Sequence, residues 1–306
     1  MRIRVLGSAA GGGFPQWNCN CRNCSGVRAG TLRAAVRTQS SIAVCGPDST
    51  RWALVNASPD IRAQLQANPA LHGARAARDS AIAAIVLVDG QLDHTVGLLM
   101  LRESGSALPV WCTDEVCADL SHGNPVFGVL AHYCGVERHA MIPDGREFVI
   151  PAVAGVTWRA IAVPGKAAPY SPHRESPVTG DNVALIIGDA VSGRTLVYAP
   201  GIGAMHETLW QAMQSAACVL IDGTFWSDDE MATLGVSRKR ARDLGHLPQS
   251  GPGGTLEWLG RLPQATRRIL IHVNNTNPIL DENSTQHAEL ARRGIEVARD
   301  GLEIAP

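Results

Sequence analysis

The chain has 306 residues, enough for one large domain or two small ones. Its 45% hydrophobic and 18% charged residues fit a globular protein with a sizeable core and exclude a disordered one. A formal charge of −1 leaves no basic field for nucleic acid, and no stretch approaches the roughly 20 apolar residues of a membrane span.

The start, Met1-Arg-Ile-Arg-Val-Leu-Gly, has the positive charge of a signal peptide without its apolar run. A cytoplasmic location is therefore expected, where the eight cysteines read as thiols or metal ligands rather than disulfides. Ile3 to Leu6 is a short strand running into the loop Gly7-Ser-Ala-Ala-Gly-Gly-Gly13. Next, Trp17-Asn-Cys19-Asn-Cys21-Arg-Asn-Cys24 puts three thiols within six residues. A tight C-x-C-x-x-C turn can supply three of the four soft ligands of a structural zinc, so a Cys-rich zinc loop is expected at 17–26. Cys45, Cys112, Cys117, Cys134 and Cys218 have apolar neighbours and read as core residues.

Ser40 to Cys45 and Trp52 to Val55 are strand-like, separated by the turn signal Gly46-Pro-Asp-Ser. In Asn56-Ala-Ser-Pro-Asp, Ser58 reads as a helix N-cap, with Pro59 at the first helical position and Asp60 in the first turn. Ala81 to Val88 is apolar throughout, as in a strand buried on both faces. Asp89-Gly-Gln-Leu-Asp93-His94 breaks it, and Thr95 to Leu101 restarts as a helix.

Further strands are expected at Val156 to Val163, Asn182 to Ile187, Thr195 to Tyr198, Cys218 to Ile221, Arg268 to Val273 and Ile295 to Val297. Helices are expected at Ala204 to Ser215, Gly254 to Leu259 and Ser284 to Arg293. Two segments without periodicity, Lys166 to Gly180 and Gly245 to Gly254, read as loops over a site. With no linker, repeat or low-complexity tract, the chain reads as a single domain over 1–306.

Asp93 and His94 follow one buried strand, Asp222 ends a second, and His272 ends a third. A strand-end Asp or His taken singly is more often a satisfied turn or core residue. Four at three strand ends with apolar lead-ins instead indicate a metal cleft, because α/β sheets bind ligands where their strands end. His246, in Gly245-His-Leu-Pro, has two readings: fourth ligand of the cysteine zinc, or acid–base group of the main site.

The order Leu6-Gly-Ser-Ala-Ala-Gly-Gly-Gly, Asn56-Ala-Ser-Pro-Asp-Ile-Arg, Asp93-His94-Thr-Val-Gly and His272 resembles the metallo-β-lactamase superfamily. Along nearly its whole length the chain also resembles, more narrowly, the PqqB family of pyrroloquinoline quinone (PQQ) biosynthesis. Ala168-Pro-Tyr-Ser-Pro-His173, Asp222-Gly-Thr-Phe-Trp226, Gly245-His-Leu-Pro-Gln-Ser-Gly-Pro-Gly-Gly and His272-Val-Asn-Asn-Thr-Asn-Pro-Ile-Leu-Asp carry that likeness, together with the glycine–cysteine segment. The resemblance implies an α/β (α+β) fold, the metallo-β-lactamase-like αββα sandwich with a metal site at one edge. It also exposes departures. Where the hydrolases carry H-x-H-x-D-H this chain has Asp89, Gln91, Asp93 and His94, and the turn Tyr198-Ala-Pro-Gly-Ile-Gly lacks their bridging acid.

What remains is the two-histidine, one-carboxylate set Asp93, His94 and His272, which suits one Fe²⁺ with open positions, although Zn²⁺ or another divalent metal can occupy it as purified. The resemblance implies an iron-dependent hydroxylase of the tyrosine ring in a Glu–Tyr-type precursor. Asp222 would orient a ligand or the substrate, and Tyr170, Ser171, His173, Trp226 and Asn275 would shape its pocket. The alternatives are a carrier of PQQ or its precursor and a zinc-dependent phosphodiesterase or lactonase. Expected partners are a small peptide-derived or quinone-precursor substrate and other PQQ-pathway proteins. Neither nucleic acid nor membrane is expected, and a homodimer is left open.

Overall fold

The computed structural model describes residues 1–47 and 49–306. Asp48, in the predicted turn after Gly46, lies outside the described residues. One sheet holds β1 (Arg2–Gly7), β2 (Ser41–Cys45), β3 (Trp52–Val55), β4 (Ile82–Val86), β5 (Leu108–Cys112) and β6 (Val136–Ala140). The other holds β7 (Asp144–Val149), β8 (Val156–Ala162), β9 (Val183–Asp189), β10 (Thr195–Ala199), β11 (Cys218–Asp222), β12 (Arg267–Ile271) and β13 (Ile295–Val297). The C-terminal β14 (Glu303–Ile304) returns to pair with β1, giving two seven-stranded sheets.

Strand alternation explains how the sheets stack. On β1 and β2, Ile3, Val5, Ile42 and Val44 point inward and meet Trp158, Leu185, Leu220 and Ile269 of the second sheet. The opposite faces of both sheets are also apolar. Ala43, Cys45 and Leu54 pack with Ile61, Val116 and Leu120 from the helices at 61–66 and 114–121. Val197, Val219 and Leu270 pack with Leu209, Leu256 and Leu290 from the helices at 207–215, 255–260 and 285–292. Four layers result, the αββα sandwich.

Both sheets run antiparallel on one side and parallel on the other: β3 to β6 are mutually parallel, as are β10 to β13. The carboxyl ends of β4, β11 and β12 thereby reach one edge of the sandwich. There Val183 N–H donates to Val88 O at 2.9 Å, and Ala10 N–H donates to Val273 O at 3.0 Å.

Several expectations are corrected. Strands β5, β6, β7 and β14 were not anticipated from sequence. Pro109 disguises β5, while β6 and β7 are sheet edges whose charged, partly exposed residues lack the pattern of a buried strand. The helix expected at Ser58 begins at Ile61, because Ser58 Oγ accepts the Asp60 N–H at 3.0 Å and forms a turn ahead of it. The helix expected at Thr95 divides into a turn over Leu92–Thr95 and a 3₁₀ segment over Val96–Leu101. At Gly97 a Cβ would lie 2.0 Å from Ser58 O, so only glycine lets this segment press against residues 57 and 58.

Trp158, in the middle of β8, is fully buried between the sheets, and among the described residues its indole N–H has no partner. Trp158→Ala is expected to lose about 3–5 kcal/mol in urea unfolding. Trp158→Phe, which keeps an aromatic ring and removes the unpaired N–H, is expected to lose clearly less. A loss below about 1 kcal/mol for the alanine variant would show that the inter-sheet core does not govern stability.

Candidate metal centre

Asp93 and His94 lie on the turn that follows β4, and His272 immediately follows β12. His272 has φ 62°, a left-handed conformation rare outside glycine. Asn56, at φ 61° after β3, accepts the Val88 N–H on its Oδ1 at 3.2 Å and so fixes the approach to Asp89.

Each imidazole is held from behind by its Nδ1. His94 Nδ1 lies 2.8 and 2.9 Å from the two oxygens of Asp89. His272 Nδ1 donates to Thr224 Oγ1 at 2.9 Å, and that hydroxyl donates to Asp222 Oδ1 at 2.6 Å. His246 Nδ1 donates to Asp222 Oδ2 at 2.7 Å, and its ring stacks on His272 with centroids 5.4 Å apart. This network places the proton of each ring on Nδ1 and leaves Nε2 as the free donor atom.

Asp93, His94 and His272 offer ligand atoms that all lie within 4.8 Å of one another. Asp93 Oδ2 stands 3.2 Å from His272 Nε2 and 3.8 Å from His94 Nε2. His94 Nε2 is buried and, among the described residues, has no hydrogen-bond partner. A buried orphan nitrogen facing a carboxylate fits a divalent cation, and imidazole with carboxylate suits iron or zinc. Asp222, His246 and His272 also lie within 4.8 Å, but Asp222 is not a free ligand. Its two oxygens already accept Ile202 N–H, Thr224 N–H, Thr224 Oγ1–H and His246 Nδ1–H, which fills its four lone-pair positions.

Burial opposes charge at Asp93, His94 and His246, and the neighbours overrule it. Burial would raise Asp93, yet His94 and His272 hold its carboxyl well below the usual range. Burial would lower His94, but Asp89 and Asp93 push it up to about 9. Burial would likewise lower His246, which Asp222 keeps above the ordinary histidine value.

A second cluster lies beside the first. Cys19, Cys21 and Cys24 bring their sulfurs within 4.8 Å of one another. Burial, then the adjoining thiols, push Cys21 up to about 12, so its thiolate needs a cation beside it at neutral pH. The fourth neighbour is Asn275, whose amide lies 3.4 Å from Cys24 Sγ and 3.9 Å from Cys21 Sγ. Either amide atom can face the sulfurs, and the oxygen is the one that suits a metal. His246 is not brought to these thiols. Its bond to Asp222 and its stacking on His272 put it in the main site, which corrects its reading as the fourth ligand there.

A cavity of about 410 Å³ opens over Asp93, His94, His246 and His272. Of the residues expected to shape it, Asn275 is in its lining and Tyr170, Ser171, His173 and Trp226 are not. The polar atoms of Tyr170 and His173 are engaged within the fold. Tyr170 donates its hydroxyl to Gly90 O, and His173 Nδ1 pairs with Asp181 Oδ1 at 3.0 Å. Ser171 is buried beside Asp119, and Trp226 packs on the outer helical core. Sequence reasoning missed the supporting roles of Asp89 and Thr224. Asp-Gly-Thr at a strand end was the visible signal for Thr224.

A model of the Beta-lactamase superfamily domain matches residues 51–273. The chain is 60% identical over 305 residues to coenzyme PQQ synthesis protein B of Azoarcus sp. (strain BH72), covering 100% of each. Among solved structures, Zn(2+)-bound PqqB from Methylobacterium extorquens is similar with TM-score 0.90 at 39% identity, covering 100% of both chains. A diphosphatase from the PhnP family shares the fold, with TM-score 0.67 at 18% identity over 100% of this chain and 97% of that one.

Because His94 is pushed up to about 9, a cation must displace its proton at neutral pH. Affinity for Mn²⁺, which disfavours thiolates, is therefore expected to rise with pH through neutrality and level off above about 9. Titration calorimetry in buffers of different ionisation enthalpy should show proton release at neutral pH that shrinks in Asp89→Asn. Binding without proton release would contradict the assignment.

Proposed function

The chain belongs to the coenzyme PQQ synthesis protein B family of the beta-lactamase superfamily, whose role is PQQ biosynthesis, and on that premise we propose that it is a mononuclear non-haem iron hydroxylase. The substrate in this reading is the tyrosine ring of a Glu–Tyr-type precursor. One observation carries it: a single set of free donors, Asp93 Oδ2, His94 Nε2 and His272 Nε2, beside carboxylates that are already spent. A two-metal hydrolase needs ligands for two ions about 3.5–4 Å apart. Here Asp89 is spent on His94 and Asp222 on its four donors, while the turn after β10 brings Gly201, with no acid, beside His246.

Asp93, His94 and His272 would hold the iron, which when bound supplies dioxygen activation. Asp89 and Thr224 keep the two imidazoles in the tautomer and orientation that present Nε2. His246, backed by Asp222, can hold or release a proton at its Nε2 towards the cavity. The turn at Gly201 and the His246 loop are tied together by Ile202, whose N–H binds Asp222 and whose carbonyl accepts Leu247 N–H. Cys19, Cys21 and Cys24 would hold a structural zinc, with the Asn275 side-chain oxygen available as a fourth donor.

Loaded anaerobically with Fe²⁺ and given a Glu–Tyr-type precursor and oxygen, the protein is expected to yield ring-hydroxylated product by mass spectrometry. No product with iron, together with phosphoester or lactone cleavage with zinc, would overturn this reading. Asp222→Asn is expected to lower iron affinity or turnover about 10- to 100-fold, because it disturbs the groups that orient His246 and His272. Cys21→Ser is expected to lose one zinc per chain in metal analysis and to unfold earlier; an unchanged zinc count would refute the cysteine site.

A further inference from the structure

The segment Gly245-His-Leu-Pro-Gln-Ser-Gly-Pro-Gly-Gly254 places His246 in the metal centre, and three residues on it carries a polar side chain that the reaction as proposed leaves unused. Gln249 is fully buried. Its backbone is engaged on both sides: its N–H donates to Phe225 O at 2.9 Å, and its carbonyl accepts Leu256 N–H at 3.0 Å. Among the described residues its side chain makes one bond, from Nε2 to Gly223 O at 2.7 Å, and Oε1 has no partner. A buried amide with an unused acceptor is a poor core filler, because that oxygen has lost its water without a replacement. An apolar side chain of similar size would fill the same space without the cost.

The bond to Gly223 acts on the turn that supports the metal centre. Gly223 lies between Asp222 and Thr224, and its N–H donates to Ile271 O at 2.7 Å. A Cβ here would lie 2.8 Å from Leu270 Cβ, so only glycine lets the turn press against β12. Its carbonyl accepts Asn277 Nδ2 at 3.0 Å as well as Gln249. The N–H of that same peptide group, on Thr224, donates to Asp222 Oδ1 at 2.9 Å. Bonds at the oxygen fix the plane of the peptide and polarise it, which strengthens the N–H as a donor. The plane in turn sets Thr224 Oγ1, which lies 2.9 Å from His272 Nδ1 and 3.1 Å from His246 Nδ1. Asn277 also serves its own turn, through Thr224 O at 3.2 Å and Ile279 N–H at 3.1 Å. Gln249 has no such second use among the described residues.

We propose that Gln249 is a positioning residue of the metal centre: through the Gly223–Thr224 peptide it sets the hydroxyl that orients His272. This rests on the reading of Asp93, His94 and His272 as a metal site, but not on iron or on hydroxylation.

Mn²⁺ alone, titrated by calorimetry, reads that site, because it disfavours the thiolates. Removing a group bonded directly to a metal ligand lowers affinity about 10- to 100-fold, which is the range expected for Thr224→Val. Gln249 acts one peptide further back, so Gln249→Met and Gln249→Leu are each expected to weaken Mn²⁺ binding about three- to tenfold. Without metal, both should unfold in urea at an unchanged or higher midpoint, because Gly223 O keeps Asn277 and the unpaired Oε1 is gone. On the Thr224→Val background, Gln249→Met should change affinity less than about twofold, since the hydroxyl it positions is no longer there. A lower midpoint in both apolar variants, unchanged Mn²⁺ affinity, or effects of Gln249→Met and Thr224→Val that multiply would each overturn the proposal. Mn²⁺ binding that is absent, or equal in Asp93→Ala, would overturn the metal reading and this proposal with it. Binding that Asp93→Ala abolishes and Gln249→Met leaves intact would refute the role of Gln249 alone.

Discussion

The structure turns on one electrostatic requirement: two imidazole Nε2 atoms, each fixed from behind, face a single carboxylate oxygen. Asp93 Oδ2 stands 3.2 Å from His272 Nε2 and 3.8 Å from His94 Nε2. With Nδ1 protonated on both rings, bare lone pairs would confront a negative oxygen in a largely buried cluster. The arrangement is favourable only with a positive charge among them, either protons on the rings or a metal ion. The elevation of His94 and the depression of Asp93 are two expressions of that demand. A divalent cation meets it with one particle and without protonating either ring.

Holding the donors in this position is the task of the surrounding fold, and each sheet supplies part of the frame. From the first sheet, Asn56 ties the end of β3 to Val88, while Ala57 N–H binds His94 O at 2.7 Å and Ala57 O accepts Gly97 N–H. From the second, Asp222 and Thr224 at the end of β11 reach His246 and His272. Glu230 then joins the segments that follow β11 and β12, accepting from Trp226 N–H at 2.7 Å and from Thr276 Oγ1 at 2.5 Å. Burial pushes that carboxyl up to about 7, so it is kept for the connection it makes at some energetic cost. Tyr170 makes a similar tie on the opposite side, through Gly90 O, just beyond the Asp89 that supports His94.

Much of this was legible in the sequence, for identifiable reasons. Strands buried on both faces, such as β4 and β11, announce themselves by unbroken apolar runs, and the chemistry sits where those runs stop. The edge strands β6 and β7 were not legible, because half-exposed charged residues carry no distinctive period. Asp93, His94 and His272 were legible as a group because each follows such a run. The place of His246 was not, since a loop histidine flanked by glycine has no periodicity to aim it; its environment is set by Asp222, 24 residues away. The pocket loop was recognised, but not which of its residues line the cavity. Tyr170 and His173 stand out by type, yet their polar atoms are used inside the fold, while the plainer Lys166 and Arg174 line the cavity.

The two clusters are also mechanically one. His272 is held in a left-handed conformation that costs of the order of 1–3 kcal/mol and persists only where its surroundings over-determine it. The chain leaving it, Val273-Asn-Asn-Thr-Asn277, runs directly to the cysteine loop. Asn23 Nδ2 donates to Asn275 O at 3.1 Å and to Asn277 O at 2.9 Å, while the Asn275 amide lies on the thiols. On the other flank, Asn277 Nδ2 donates to Gly223 O at 3.0 Å, beside Asp222 and Thr224. The segment after His272 is thus pinned to both the cysteine loop and the Asp222 turn. Its strain is balanced by contacts from each side. Residues 275–277 therefore connect the backbone after His272 to the cysteine loop on one side and to the Asp222 turn on the other.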